Sequence, residues 1–372
     1  MTVARPAFER RVLSALEAGR IPVLVGGCGT GRTFLLRRLR ERLGPGGCQY
    51  IDVERCATTP ERLLRTVMQA SPFGAGDVSS ETSSPREAFD SLVAFFQGAR
   101  SRAGAPVTFL LDEALEFRTF ENFPGLRHVL ADLIAGLAGS TNRFVLTTRY
   151  ITRAMRLLRD RSGNLELVHL TPLGLDELRT VLAGTVDDDD VVRAVHALTD
   201  GHTGYAQALT AAMTALDADP IAAMASLLSA DGQLTRELTY SYELRLHRAR
   251  GYGALKAILD ILADQEPLTL TEIATRLRRT PGSTKDYLSW LEDVDLITVR
   301  QKRYSIADPV LRLWVRLHCR PEPPDDGTVA EEVQQYAMER LPAAAADQPA
   351  EPALVGARQE PGRKGWGIIE ID

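Results

Sequence analysis

The chain has 372 residues, of which 44% are hydrophobic and 25% charged, and its formal net charge is -5. That length exceeds one ordinary domain, and the composition is that of a soluble globular protein. The charge excludes a general polyanion binder, though not a local basic face. The N-terminus carries Arg10 and Arg11 and has no apolar h-region, so no signal peptide is expected there. No stretch reaches the length of a membrane-spanning helix. Cys28, Cys48, Cys56 and Cys319 have neither C-x-x-C nor zinc-ligand spacing and read as free thiols of a reducing cytoplasm.

An amphipathic helix is predicted over about Pro6 to Ala18, with Phe8, Val12, Leu13 and Leu16 on one side. Ile21-Pro22-Val23-Leu24-Val25 then reads as a buried strand. It runs into Gly26-Gly27-Cys28-Gly29-Thr30-Gly31-Arg32-Thr33, and helical spacing resumes from Phe34 to Arg40. Strand, glycine-rich turn and helix are the context of a phosphate-binding loop, G-x-x-x-x-G-[K]-[ST], with Arg32 at the lysine position. Glycines let successive N–H groups point inward at phosphate oxygens, and the helix N-terminus adds partial positive charge. Arg32 offers a forked, permanently charged donor in place of lysine. Gly26, Gly27, Gly29, Thr30, Gly31, Arg32, Thr33 and Phe34 are the candidate nucleotide contacts, with the Thr33 hydroxyl on Mg²⁺. A glycine-rich turn without a ligand is the bland alternative, and the strand and helix on either side weigh against it.

Cys48 to Val53 reads as a second strand, Pro60 to Ala70 as a helix and Ser71 to Pro85 as a loop, followed by a helix over Arg86 to Arg102. Val107 to Leu111 is an apolar run suited to a parallel strand buried on both faces. It ends in Asp112-Glu113, where ligands bind in such sheets. The expected roles are Mg²⁺ through water for Asp112 and polarisation of an attacking water for Glu113. After a helix over Gly125 to Gly139, a strand over Arg143 to Thr148 ends in Thr147-Thr148-Arg149. Thr148 is placed to sense a terminal phosphate, and Arg149 to reach it as a cis-acting cation or to lie on a basic helix with Arg153, Arg156 and Arg159. Leu165 to Leu170 gives a fifth strand, and the alternation predicts a parallel α/β sheet.

Beyond Thr171 helices replace strands: Leu175 to Gly184, Val191 to Thr199, Tyr205 to Asp217 and Ile221 to Leu228, a natural lid over a nucleotide. Asp187 to Asp190 reads as a solvated helix cap rather than a metal site, because adjacent side chains splay apart. Three helices and a two-stranded hairpin with the basic tip Arg300 to Arg303 follow over Tyr252 to Leu317, the order of a winged helix. After Arg320 the chain reads as a linker with room for a short helix at Val333 to Leu341. Gly365 to Asp372 is an apolar, strand-like tag suited to docking on a partner.

Taken in order, the phosphate loop, the Leu-Asp-Glu strand end, the Thr-Thr-Arg strand tip, Leu170-Thr-Pro-Leu-Gly-Leu-Asp-Glu-Leu178 and the winged-helix stretch up to Trp314 resemble the archaeal-type ATPases. These belong to the STAND class of AAA+-like P-loop NTPases, and the resemblance covers about Arg5 to Arg320. It implies a core of strand order 5-1-4-3-2 over residues 1–170, a helical lid over 171–250, a winged-helix domain over 251–320 and a flexible tail over 321–372. It also implies ATP/ADP and Mg²⁺ as ligands. Carried over by position, Thr33 and Asp112 serve Mg²⁺, Glu113 serves water, and Thr148 with Arg149 sense phosphate. Gly201-His202-Thr203 matches a Gly-x-Pro lid turn near the adenine, with Thr203 in place of proline.

Three functions follow as expectations. The first is an ATP-binding switch with weak hydrolysis. The second is a winged-helix DNA-binding regulator with nucleotide as a structural or allosteric ligand. It is weakened by Asp286, Glu292, Asp293 and Asp295 on or just after the third helix. The third is a pseudo-ATPase scaffold that binds a protein partner through the terminal tag. A homo-oligomer is compatible with each. Arg118, Arg127 and Arg153 are equal candidates for an arginine supplied to a neighbouring subunit.

Overall fold

The computed structural model describes residues 5–74, 78–159, 164–246 and 251–344. The terminal tag Gly365–Asp372, to which the sequence gives a docking role, lies outside them. Five strands, β1 (Ile21–Val25), β2 (Cys48–Asp52), β3 (Thr108–Asp112), β4 (Arg143–Thr148) and β5 (Leu165–His169), form one parallel sheet in the order β2-β3-β4-β1-β5. This is the 5-1-4-3-2 order expected from the resemblance. β1 and β3 are buried along their whole length, as suits the apolar runs Ile21–Val25 and Phe109–Leu111. Because β3, β4 and β1 are neighbours, Asp112-Glu113, Thr148-Arg149 and the Gly26 turn all leave the sheet at one edge.

Helices cover both faces of the sheet. On one face Pro6–Glu17 and Arg32–Leu43 pack Val12, Leu16, Leu36 and Leu39 against Leu24, Leu110, Val145 and Val168. On the other, Pro60–Gln69, Pro85–Gly98 and Val129–Ala138 enclose an aromatic cluster. Phe109 is at its centre, with ring centroids of Phe73, Phe95, Phe96 and Phe144 between 4.9 and 5.8 Å away. Thr59 and Ser84 cap their helices ahead of Pro60 and Pro85, which places proline where its missing N–H is harmless.

The rest of the described chain is mainly helical. Five helices run over Leu175–Leu182, Asp189–Thr199, Thr203–Leu216, Pro220–Leu228 and Gln233–Leu246. Asp188 caps the second of them, and its aspartates are solvated, as their spacing indicates. The C-terminal unit has helices Tyr252–Asp264, Leu270–Leu277 and Pro281–Asp293. Its antiparallel sheet is β6 (Leu268–Thr269), β7 (Ile297–Arg300) and β8 (Arg303–Ile306), in the order β6-β8-β7. The short β6 extends the expected two-stranded hairpin. One continuous core, including Leu209, Leu228, Tyr242, Ile258, Leu291 and Trp314, joins the helical segment to this unit.

Two segments depart from the sequence reading. Gln233–Leu246 is a helix not delimited in the sequence, though it lies inside the span expected to form a helical lid. Asp326–Ala344 is a helix, where a linker with a shorter helix was expected. Val329, Val333, Tyr336 and Ala337 are buried along one side of it, and the Tyr336 hydroxyl donates to the Leu198 carbonyl at 2.9 Å. Its apolar stripe is only four residues, diluted among Glu, Gln and Ala, so composition conceals it and the long-range contact reveals it. Among the described residues no single helix is long and apolar enough to cross a membrane.

Candidate functional site

The turn after β1 takes its shape from glycines in left-handed conformation, Gly29 at φ +77° and Gly31 at φ +93°. A Cβ at Gly29 would lie 2.5 Å from Cε1 of His202, so a side chain is barred twice over. The Thr30 hydroxyl folds back to the Gly27 carbonyl at 2.9 Å, and the loop opens into the helix Arg32–Leu43. This is a backbone cradle with a helix N-terminus behind it, the form that suits phosphate.

At the floor of the loop the two carboxylates are separately engaged. Asp112, 4% exposed, accepts hydrogen bonds from the hydroxyls of Thr33 (2.8 Å), Tyr50 (2.8 Å) and Thr147 (2.5 Å). Burial and this bond to Asp112 push the Tyr50 phenol up. Glu113 has φ +55°, and its N–H donates to Thr147 Oγ1 at 3.0 Å. Its side chain accepts from Arg32 Nη1 at 2.6 Å and from the Arg149 N–H at 3.0 Å, and Arg149 Nε stands 3.3 Å away. Arg149 also pairs with Glu54. Burial opposes the charge on Arg149, but Glu113, Cys28 and Glu54 more than offset it. Arg32 and Arg149 are each 8% exposed, and the Nε of each has no hydrogen-bond acceptor. Buried guanidinium donors without acceptors beside a phosphate cradle fit an anionic ligand, and the Thr33–Asp112 oxygen pair fits Mg²⁺.

The side chains of Arg32, Thr33, Asp112, Glu113 and Arg149 therefore converge. Thr148 is buried, and its hydroxyl accepts from the Tyr150 N–H, whereas Thr147 is the threonine that meets Asp112. Phe34 lines a cavity of about 130 Å³ beside the loop, with Arg5, Arg38, Thr203 and Gln207. Arg153 is held between the rings of Tyr150 and Trp290, Arg118 pairs with Glu121 at 3.5 Å, and Arg127 is exposed. Sequence reasoning missed Tyr50, Glu54 and Thr147, whose partners are distant in sequence or adjacent to the residue chosen. It also gave no role to Cys28, although Cys28 lies within the loop itself.

His202 caps the helix Thr203–Leu216 over the loop. Its Nδ1 accepts from the Tyr205 N–H at 3.3 Å, and its Nε2 contacts the Cys28 carbonyl at 2.5 Å, which fixes the Nε2–H tautomer. The ring stacks on Tyr205 at 3.8 Å, and the Tyr205 hydroxyl donates to Asp308 in the C-terminal unit at 2.6 Å. Burial lowers the His202 pKa below its ordinary 6.5. The fold therefore favours neutral His202, and this contribution is full above pH 6.5 and lost as pH falls below it. Melting curves from pH 8 to pH 5 should show a loss of stability in that window that His202→Gln reduces. An unchanged pH slope in the variant would count against this assignment.

Cys28 is half-buried, and Arg245 Nη2 lies 3.7 Å from its sulfur. Burial pushes the thiol up, but Arg245, Arg149 and Arg32 together outweigh it and leave its pKa below the ordinary thiol value. Burial raises Cys48, Cys56 and Cys319. Since the thiolate is the nucleophile, iodoacetamide at neutral pH should modify Cys28 first, as read by peptide mass mapping. Preferential modification of another of these thiols would contradict the electrostatic assignment.

No family model and no curated protein matches the chain. Among solved structures it is similar to a Walker-type ATPase of Pyrococcus abyssi, with 19% identity and a TM-score of 0.66 over 84% of this chain and 96% of that one. It is more loosely similar to the ORC1 protein of Aeropyrum pernix solved in complex with DNA, with 18% identity and a TM-score of 0.45 over 90% and 93%. For RuvB of Thermotoga maritima the figures are 14% and 0.39 over 82% and 92%. Only the first likeness is close enough to bear on the fold. Sheet order, loop position and that likeness agree: the chain has the fold of a Walker-type P-loop ATPase.

Proposed function

We propose that this chain binds ATP and ADP with Mg²⁺ and acts as a nucleotide-dependent switch of the STAND-like, AAA+-like kind, with weak hydrolysis. In this reading residues 1–170 are the core, 171–250 the lid, 251–320 a winged-helix domain, and the protein works in the cytoplasm. The observation that carries it is the buried Arg32–Glu113–Arg149 cluster under the phosphate cradle. Thr33 and Asp112 would hold Mg²⁺, which supplies neutralisation of phosphate charge when bound. Arg32 has an unused Nε donor for a phosphate oxygen. As long as both guanidinium groups hold Glu113, that carboxylate is committed to them and cannot accept a proton from water, so turnover is slow until they move. Anionic phosphate supplies the competing partner that would draw them away.

A DNA-binding reading has less support. Trp290 lies over Arg153, Asp293 pairs with Arg156 at 2.5 Å, and the Asp295 carboxylate caps the helix Ile151–Arg159. Two of the four acidic residues that argue against a phosphate-facing helix, Asp293 and Asp295, thus dock the C-terminal unit on the core. The deciding experiment measures Mg-ATP and Mg-ADP binding beside ATP turnover for the native chain, Arg32→Lys and Glu113→Gln. Binding with slow, Glu113-dependent turnover supports the proposal. Equal affinity for ATP and ADP with no conformational response to either would defeat the switch.

A further inference from the structure

The small sheet of the C-terminal unit ends in an open edge. β7 is an outer strand in the order β6-β8-β7, so it has a partner on one side only. One bond fixes which of its groups are free: the Ala307 N–H donates to the Leu296 carbonyl at 3.0 Å. In an antiparallel pair, bonded and unbonded positions alternate from there. Thr298 opposite Ser305 and Arg300 opposite Arg303 are the bonded positions, and Ile297 and Val299 turn their N–H and C=O groups outward. Among the described residues no hydrogen bond is made to those outward groups.

That edge borders a cavity of about 430 Å³. Ile297, Thr298, Val299 and Arg300 line it in succession, with Cys28 of the phosphate loop and Asp200 on other walls. Successive side chains of a strand point to opposite faces, so four consecutive residues border one cavity along the backbone edge. The walls carry Asp200, Glu292, Asp295 and Asp308 as well as Arg245 and Arg300. Charge there is mixed, and the open edge is what selects a ligand. The helix Asp326–Ala344 runs to the same place. Near its end Arg340 donates to the Ala197 carbonyl at 3.0 Å and pairs with Asp200 at 3.5 Å. Ala344 is one turn further on, about 6 Å along the axis.

We propose that the tag Gly365–Asp372 of the same chain adds to β7 as a further strand of this sheet. Residues 345–364 join it to the helix. As a flexible chain they span about 25 Å, well beyond the width of a cavity of this volume. The tag has the alternation that a strand needs. With Ile369 and Ile371 on the face of Ile297 and Val299, Glu370 falls with Trp366 and Ile368 on the face of Thr298 and Arg300. The Ile297 side chain is buried, so the two isoleucines extend an apolar surface. On the other face Arg300 offers a partner to the carboxylate and to the indole alike. Main-chain bonds to Ile297 and Val299 supply the affinity. The inference does not rest on the nucleotide reading, although a docked tag shares the cavity with Cys28.

The test uses the full chain without nucleotide and reads amide hydrogen exchange at single residues. Native protein is compared with a full-length variant carrying both Ile368→Pro and Ile369→Pro. Neighbouring N–H groups of a strand point to opposite edges, so the double change removes the one that faces β7, in a segment outside the described fold. A flexible tether holds the tag at about a millimolar effective concentration, and a peptide affinity of about 0.1 mM then protects about tenfold. Exchange at Ile297 and Val299 should therefore be about tenfold slower in native protein than in the proline variant. Thr298 and Arg300, already bonded to β8, should exchange alike in both. Ile369→Val should keep the native protection. Equal exchange at Ile297 and Val299 in native and proline-substituted chains overturns the inference. So does protection that disappears on hundredfold dilution, which would place the tag on a second copy. Neither result touches the nucleotide reading, because no nucleotide is present.

Discussion

Glu113→Gln should leave Mg-ATP binding at least as tight as in the native chain and reduce turnover by about a hundredfold or more, the usual contribution of a positioned general base. Glu113 is the carboxylate at the tip of β3 that neither helps hold Asp112's hydroxyl set nor caps a helix, and its side-chain partners are Arg32 and Arg149. The same change should lower stability without ligand. Arg32 and Glu113 are both more than nine-tenths buried, and removing one charge of such a pair costs about 3 kcal/mol. Arg149 retains Glu54 and is affected less. Because phosphate can replace the lost carboxylate, Mg-ATP should raise the melting temperature of Glu113→Gln more than that of the native chain. A variant with native turnover, or one whose melting temperature gains less from Mg-ATP, would contradict the role given to Glu113.

Arg32→Ala should weaken Mg-ATP binding by about a hundredfold, and Arg32→Lys should restore most of it. Arg32 is the first residue of the helix Arg32–Leu43, with its guanidinium buried beside the loop and its Nε without an acceptor. Alanine removes a charge-assisted phosphate contact at the point where loop and helix N-terminus converge, and it leaves Glu113 with Arg149 alone. Lysine replaces a fork by a point charge, so it holds Glu113 less firmly, and turnover should rise above native. Isothermal titration and a steady-state phosphate assay on the two variants measure both effects. Unchanged affinity in Arg32→Ala would show that phosphate does not meet Arg32. Lower turnover in Arg32→Lys than in native protein would show that the arginine fork assists hydrolysis rather than restraining it.

Much of this site is legible in short sequence windows. Ile21 to Val25 with the Gly26–Thr33 turn, and Thr108 to Leu111 with Asp112-Glu113, are local patterns, because burial on both faces of a strand demands an unbroken apolar run and a tight turn demands glycine. Strand order entered through the likeness of the ordered motifs to a known family, since the strands themselves do not state which neighbour each one takes. Asp295 shows the limit most clearly. Its charge stands out in the sequence, but its partners, the Ile151 and Thr152 N–H groups, are 144 and 143 residues away. Arg245 is harder still. Its helix buries Leu234, Leu238, Tyr242 and Leu246 along one side, but the contact of Arg245 with Cys28 spans 217 residues.

By itself the sequence determined the phosphate loop, the paired carboxylates at a strand end and the helical character of the segments between them, because periodicity and turn chemistry act over a few residues. Only the tertiary structure decided that Arg32 and Arg149 share Glu113, that Thr147 holds Asp112, and that Arg245 and Asp295 tie the C-terminal unit to the loop. Those pairings depend on which strand tips lie side by side and on burial that leaves each charge only the partners within a few ångströms, and neither quantity exists until the sheet and the helical layer have packed.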